Sequence, residues 1–574
     1  MANSETALPA RGAQSNVWYR LLLLAIAGLG GLLYGIDVGI IAAALLYLGK
    51  TVQLTLAQTS MIVAAVLGGS MVSSPLAGVL ADWFGRRKMM VVSGVMFVAS
   101  VVIIVISQGF VPLLLGRLLQ GMSGGVIAVV VPLYLAESMD ADNRGRGTAI
   151  FQFMLTFGIA LAALIGWYYT RQAEAVIALA HGNTTLILAA ENHAWRGMFL
   201  AVVYPGLMFF AGTFFLSESP RWLLHRGKAA EALRSLQRLF VAHKAEAELR
   251  KMQTLLHEQP DAAQSAGVQS KEQDSLLRRK YVIPFVLACI ILACNQTTGI
   301  NSILGFLVVI LRHAGMSATH ATQGDVVVKL LNCAMTLVAV LLVDRKGRKF
   351  LLKLGTGGII LSLVAGAVLF LSFESKRVDV RSELAAAQST DRVTLPLSRL
   401  SAAAGDAQKP MMLTVVYSYG SGSQMVSVSS DDANPVLQIA PEAGAKGKPL
   451  TIEHAFYGPI PSENTGWLIT LCLALFIAAY AVGPGVVVWL TLSELMPMRI
   501  RSTGMGIALL LNQGASTVIA AVFLPVVGNY GYYGMFLFWA GCTVVYFITA
   551  AFFLPETKGK TLEEIEAYFE KSAA

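Results

Sequence analysis

Asp82-Trp83-Phe84-Gly85-Arg86-Arg87 and Asp344-Arg345-Lys346-Gly347-Arg348-Lys349 are two versions of one charged hexapeptide, set 262 residues apart. Each closes an apolar run long enough to cross a bilayer. The pairing continues outward from them. Glu137 precedes Arg144 by seven residues in the first part of the chain, and Glu494 precedes Arg501 by seven in the second. Ser217-Glu218-Ser219-Pro220 follows the sixth apolar run, and Pro555-Glu556-Thr557 follows the last. Three matched motifs in one order mark a duplicated block of six apolar runs.

The runs fall near 18–42, 56–80, 88–107, 111–136, 147–169, 195–216, 281–310, 323–343, 350–372, 466–491, 502–527 and 533–554. Composition says what they are. Charged residues make up only 13% of the chain, against 55% apolar, where soluble domains carry about a quarter charged. In lipid only helices and closed barrels satisfy their own backbone, and runs of about 20 residues suit helices. The expected fold is therefore an all-α membrane protein, twelve transmembrane helices in two six-helix pseudo-repeats.

Lys and Arg cluster in the loops after runs two and eight and are nearly absent after runs one, three and eleven. By the positive-inside rule both termini are cytoplasmic. The net charge of +9 reads as this bias, so no nucleic-acid partner is expected. The first 17 residues are polar without a cleavable-signal pattern. All five cysteines (Cys289, Cys294, Cys333, Cys472, Cys542) lie inside runs, which suits small core residues better than disulfides or metal ligands.

Residues 1–17 thus form a cytoplasmic tail and 18–216 a first half. A linker over 217–280 carries apolar residues at helical spacing in Arg221–Leu224 and Ala229–Phe240, which predicts cytoplasmic helices. The second half divides into 281–372 and 466–554, with a tail at 555–574. Asp82 and Glu137 are 55 residues apart, while Asp344 and Glu494 are 150 apart. The difference places an insertion at 373–465, on the extracytoplasmic side. Its alternating runs Leu413–Ser418 and Gln424–Val428 predict a small β-rich unit. Asn183-Thr184-Thr185 in the outer loop after run five has the form of a glycosylation site.

Taken together, the two Asp-x-x-Gly-Arg motifs, Ser217–Trp222, Pro555–Lys560, Gly299-Ile300-Asn301 and Gly30–Asp37 resemble the sugar porter family of the major facilitator superfamily. The resemblance covers about residues 20 to 565, apart from the insert and part of the linker. It implies the major facilitator fold, alternating access, and a monosaccharide or polyol as substrate.

Asp37 and Arg117 are the ionisable residues that stand out inside runs one and four, each about six residues from the outer end, or ~9 Å deep by helical rise. A charge inside a span is costly and points to function. Burial favours the neutral acid and Arg117 favours the carboxylate, so proton occupancy can follow movement. The plain structural alternative is a static ion pair. The resemblance implies a proton-coupling role, with protons as the coupling ion and no other cofactor. Where some symporters place a further acid in helix six, this chain reads Ala201-Val202-Val203-Tyr204-Pro205.

A sugar needs neutral groups that both donate and accept, and an aromatic plate. Gln152, Asn295, Gln296, Asn301, Asn332, Asn512 and Gln513 are amides inside apolar runs, and Trp489 follows Gly483-Pro484-Gly485. A lone amide in a span ordinarily serves a helix contact; this many across four spans point to a polar cavity. The resemblance implies that Gln152, Gln296, Asn301, Asn332, Trp489 and Asn512 touch sugar, with Asn295 beside them. Asp82, Arg86, Glu137, Arg144, Glu218, Asp344, Arg348, Glu494 and Arg501 sit at inner helix ends. They are expected to form a cytoplasmic gate whose network between halves closes the inner side, the plain alternative being helix caps.

A facilitative uniporter of the same fold is the main alternative. A transport-dead sensor fits less well, because only about 20 residues follow Pro555. An exporter would be expected to carry acids where this chain has amides. The chain holds no nucleotide loop, nucleophile motif or metal cluster, so it is not expected to be an enzyme. A monomer in a cell membrane, a bacterial inner membrane by preference, is the expected setting.

Overall fold

The computed structural model describes residues 11–139, 141–254, 278–389, 391–400, 410–420, 422–430, 435–441, 448–497, 500–557, 564–565 and 568–569. Among the described residues, eleven helical stretches are long and apolar enough to cross a membrane. Spans one to six are Val17–Gly39, Leu56–Phe84, Arg86–Ile106, Phe110–Ser138, Ala149–Leu179 and Thr184–Thr213. Spans seven to ten are Tyr281–His313, Ala318–Val343, Arg348–Glu374 and Glu463–Trp489. The eleventh stretch, Gly504–Phe553, is 50 residues long, about twice what one crossing needs. It is broken at Gly531, whose φ of 75° and ψ of 171° lie outside the helix region. Spans eleven and twelve therefore meet at a joint, and the twelve-crossing count holds.

Four crossings are interrupted. Span one ends at Gly39, and after Ile40 a second segment runs Ile41–Thr51. Span six breaks at Val202, span seven at Thr298-Gly299 and span ten at Gly483 ahead of Pro484. Spans one and seven occupy matching places in the two halves, so their breaks are a paired feature of the repeat. Glycine is required at two of the close approaches. A Cβ on Gly35 would meet the Leu155 carbonyl of span five, and one on Gly299 would meet the Trp539 ring. Small residues let membrane helices approach to backbone contact.

Two expectations about lengths are corrected. Span one was expected to end near Ala42; the helix resumes and reaches Thr51, so Asp37 lies ~21 Å from that end by helical rise rather than ~9 Å. The loop expected over 170–194 is helical instead. One helix runs Ala141–Leu179 and the next starts at Thr184, where Asn183 caps it by accepting from the Thr185 and Leu186 amides. Hydropathy marks where a chain leaves lipid, not where its helix stops.

On one face of the bundle the linker forms short helices, Pro220–His225 and Ala229–Leu239, with a further helix over 242–254. Trp222 donates from its indole to the Asp82 carbonyl, and Leu236, Leu239 and Phe240 join the bundle core. On the opposite face lies the insert, between the ends of spans nine and ten. Its strands are β1 Val378–Asp379, β2 Gln388–Ser389, β3 Arg392–Pro396, β4 Met411–Ser418, β5 Ser423–Ser429, β6 Val436–Ile439 and β7 Thr451–Pro459. They form antiparallel sheets of order β1-β7-β4-β5 and β2-β3-β6 around their own core, which includes Leu413, Val415, Leu437 and Tyr457. Val416 and Met425 instead pack on the bundle, and His454 shares a 3.0 Å hydrogen bond with Asn529 between spans eleven and twelve.

The halves meet towards the insert face. Span two packs on span eleven, where the Leu524 amide donates to Ser60 Oγ at 3.1 Å. Span five packs on span eight, and the second segment of span one packs on the second segment of span seven. There a Cβ on Gly305 would lie 2.9 Å from Val63.

Candidate functional site

Asp37 and Arg117 are brought together, fully enclosed at 0% and 1% exposure. Arg117 Nη1 lies 3.3 Å from Asp37 Oδ1, and the same nitrogen donates to Gln120 Oε1 at 2.7 Å. The guanidinium carbon stands 5.6 Å from the centre of the Phe199 ring. Asp37 Oδ2 and Arg117 Nε have no hydrogen-bond partner. A buried ion pair that serves structure is held by several short bonds, often bidentate. This one is a single long contact with an open oxygen on the acid, and Arg117 makes its shorter bond elsewhere.

Arg117 also faces a small cavity lined by Val38, Ile41, Val63, Leu67, Asn301 and Gly305. The cavity brings Arg117 and Asn301 to one largely aliphatic space. Asn301, two residues after Gly299 at the span-seven break, donates to Gln296 Oε1 at 2.9 Å and to Ser516 Oγ at 2.7 Å. Gln296 donates to Asn512 Oδ1 at 3.2 Å, and Asn512 donates to the Leu292 carbonyl at 2.9 Å. The left-handed Gly299, with φ of 85°, creates this meeting by turning the chain between Gln296 and Asn301. Spans seven and eleven thus carry a continuous run of neutral donors and acceptors.

Other expected residues are placed differently. Asn295 points away from Asn512 and donates to the Tyr480 hydroxyl of span ten at 3.2 Å. Gln152 and Asn332 stand on the facing spans five and eight, and their amides have no partner among the described residues. Trp489 is 41% exposed on the short segment after the span-ten break.

The charged motifs build two copies of one cluster on the linker face. Gly85 takes φ of 101° and Gly347 takes φ of 87°, and each turns the chain into a new span. Glu218 accepts from the amides of Arg86 at 2.8 Å and Arg87 at 3.0 Å; Glu556 accepts from those of Arg348 and Lys349, both at 3.1 Å. Arg86 Nη2 pairs with Glu137 at 2.8 Å and Asp82 at 2.7 Å, as Arg348 Nη2 pairs with Glu494 at 3.1 Å. Ser219 donates to Glu137, and Thr557 donates to Glu494. The network was expected between halves; every ion pair described at these motifs lies within one half. An acid at a helix N-terminus meets unsatisfied amides and the positive end of the dipole, which explains the arrangement. The side chains of Arg144, Asp344 and Arg501 lie outside the described residues.

Sequence reasoning missed Gln120, Tyr480, Ser516 and, above all, Asp325 and Lys329 in span eight. The last two had a clear signal, opposite charges four residues apart in an apolar run.

Comparison with known proteins agrees with this geometry. The family profile described as "Sugar (and other) transporter" matches residues 23–387 and 451–569, leaving out most of the insert. The chain is 27% identical over 549 residues to the glucose transporter GlcP of Staphylococcus epidermidis, covering 95% of this chain and 96% of that one. It is also 27% identical over 559 residues to the human proton myo-inositol cotransporter, covering 95% and 81%. Among solved structures it resembles the inward-open xylose transporter XylE from E. coli, with a TM-score of 0.65, 20% identity, and 95% and 98% covered. The D-xylose-proton symporter structure gives a TM-score of 0.62 at 20% identity, covering 95% and 100%. A bundle of two matched halves, amides at its centre and a family profile spanning both halves lead to one conclusion: the chain belongs to the sugar transporter family of the major facilitator superfamily, and is a multi-pass membrane transporter rather than an enzyme.

Proposed function

We propose that this transporter carries a monosaccharide or polyol together with protons, by alternating access, with Asp37 as the proton site and Arg117 as its movable partner. The observation that carries the reading is the loose pair. Asp37 is buried with one oxygen unpaired, and its arginine is held more closely by Gln120 than by the acid. A carboxylate left this way is stabilised as an anion only while Arg117 stays close. Movement of Arg117 into the cavity that it lines with Asn301 would let Asp37 take a proton, so binding and protonation are linked through one side chain.

Gln296, Asn301 and Asn512, with Ser516 added to the set, would hold the sugar hydroxyls. Gln152 and Asn332 would supply the free amides from the facing helices. Trp489 would offer its ring, and Asn295 would tie span ten to the site through Tyr480. Relatives named for glucose, myo-inositol and xylose support a neutral polyhydroxyl substrate. With the basic clusters on the cytoplasmic side, the linker and both termini face the cytoplasm of a cell membrane and the insert faces outward. The two charged clusters, built around Asp82, Arg86, Glu137 and Glu218 and around Arg348, Glu494 and Glu556, then rigidify the inner ends. Asp344, Arg144 and Arg501 belong to the same gate by their place in the sequence motifs, and inner closure would bring the two clusters face to face. The protein works as a monomer.

The test is uptake of radiolabelled hexoses, pentoses and inositol into proteoliposomes, with and without an inward proton gradient. Wild type should accumulate one of them against its gradient. Asp37→Asn should lose accumulation and keep equilibrative exchange. Equal, gradient-independent equilibration by both proteins would make the transporter a uniporter and the pair structural.

A further inference from the structure

Span eight carries a charge pair that neither the sugar site nor the proton site uses. Asp325 and Lys329 lie one helical turn apart and are 1% and 0% exposed. Lys329 Nζ is 2.8 and 2.9 Å from the two carboxylate oxygens of Asp325. It also donates to the Gly39 carbonyl of span one at 3.0 Å. Two features make this more than a helix-surface pair. Ion pairs at this spacing usually decorate exposed faces, where they cost little; here both charges are buried, and desolvation makes them expensive. The third partner also belongs to the other half of the molecule.

Gly39 is where the first segment of span one stops. The last carbonyls of a helix lack intrahelical donors and carry the negative end of its dipole. An ammonium is a strong cap for such an end, and Lys329 supplies it from span eight. Both Asp325 oxygens already lie against the ammonium, so Lys329 stays paired when it leaves Gly39. Gly39 is two residues from Asp37, on the same broken helix.

We infer that Lys329 is a positioning residue that latches the two halves together on the insert face. While that face is closed, its ammonium holds the end of the first span-one segment. Opening requires it to release Gly39 while it stays on Asp325, whose carboxylate shelters the buried ammonium in both states. The release moves the backbone beside Asp37, which ties opening of the insert face to the proton site. This inference rests on alternating access, but not on proton coupling or on the identity of the substrate.

The test uses a cysteine probe at Val63, a buried residue of span two facing Gly305 across the closed interface. Full-length Val63→Cys in vesicles is treated with a membrane-impermeant maleimide from the insert side, and labelling is counted above the same protein without the added cysteine. Lys329→Met should raise the labelling rate about tenfold, the population shift expected from losing one charge-assisted hydrogen bond. Lys329→Arg keeps a cation and should stay near wild type. Lys329→Met strands Asp325 in the core, so Asp325→Asn/Lys329→Met serves as a neutral second variant, with the same rise expected. Wild-type labelling in a folded Lys329→Met or double variant would overturn the latch. So would equal labelling of the Met and Arg variants. A labelling response in a protein that takes up no sugar would leave the latch standing and remove the sugar-carrier reading instead.

Discussion

Asn512 accepts a hydrogen bond from Gln296 and donates one to the backbone of span seven, so a single side chain ties spans seven and eleven together and fixes the polarity of their shared face. Removing it leaves Gln296 short of a partner, at a cost of ~1–3 kcal/mol. Asn512→Ala should therefore raise KM for the transported sugar by about 10- to 100-fold, read from the concentration dependence of uptake; an unchanged KM would take Asn512 out of the site. The signal that pointed to Asn512 was simple, an amide with no reason to sit in lipid. The same signal exposed Gln296 and Asn301. It could not find Ser516, because a serine in a span ordinarily bonds its own helix and leaves no trace in the pattern. Nor could it foresee that Asn295 reaches Tyr480, since direction around a helix broken at Thr298-Gly299 does not follow from spacing. Asp325 and Lys329 were legible and overlooked. They lie close after Gln323-Gly324, where polar residues blur the start of span eight.

Span seven shows what a broken helix contributes. Its left-handed Gly299 lets two segments aim Gln296 and Asn301 at each other, and the missing Cβ admits the Trp539 ring. The left-handed region costs an L-residue ~1–2 kcal/mol before any clash. Gly299→Ala should consequently lower the apparent melting midpoint in detergent by several degrees and slow uptake, and a variant as stable as wild type would mean that the break relaxes without effect. At this scale the sequence was legible in part. Gly483-Pro484-Gly485 announced the break in span ten, because proline lacks an amide proton and clashes with the preceding turn. Pro205 marked the break at Val202 in the same way, while the break at Ile40 had no proline to announce it. The helix Ala141–Leu179, ~58 Å long by rise, outruns the ~30 Å hydrocarbon core, and its far end is built from ordinary helix formers that hydropathy leaves unmarked.

For the molecule as a whole, the repeat motifs located both halves and the insertion, because each motif marks a helix end on the linker face. The insert has a core separate from the bundle, and β1 pairs with β7 through Val378–Tyr457 and Asp379–Phe456. Its entry and exit are thus neighbours, and short loop closures carry a small entropic cost. Replacing residues 380–455 by a short Gly-Ser linker should yield a monodisperse carrier whose uptake rate lies within about tenfold of wild type; collapse on gel filtration would show that the bundle depends on the insert to fold. The hydrogen bonds of the amide cavity bear on a different half of the working cycle. A carrier that has delivered its cargo must turn back empty, and dry polar groups would raise the barrier to that return. Gln296, Asn301, Ser516 and Asn512 satisfy one another through their own hydrogen bonds. In the proposed alternating-access cycle, this self-pairing would give the return leg a route that strands no amide, favouring sustained one-way flux over the mere swapping of one sugar for another.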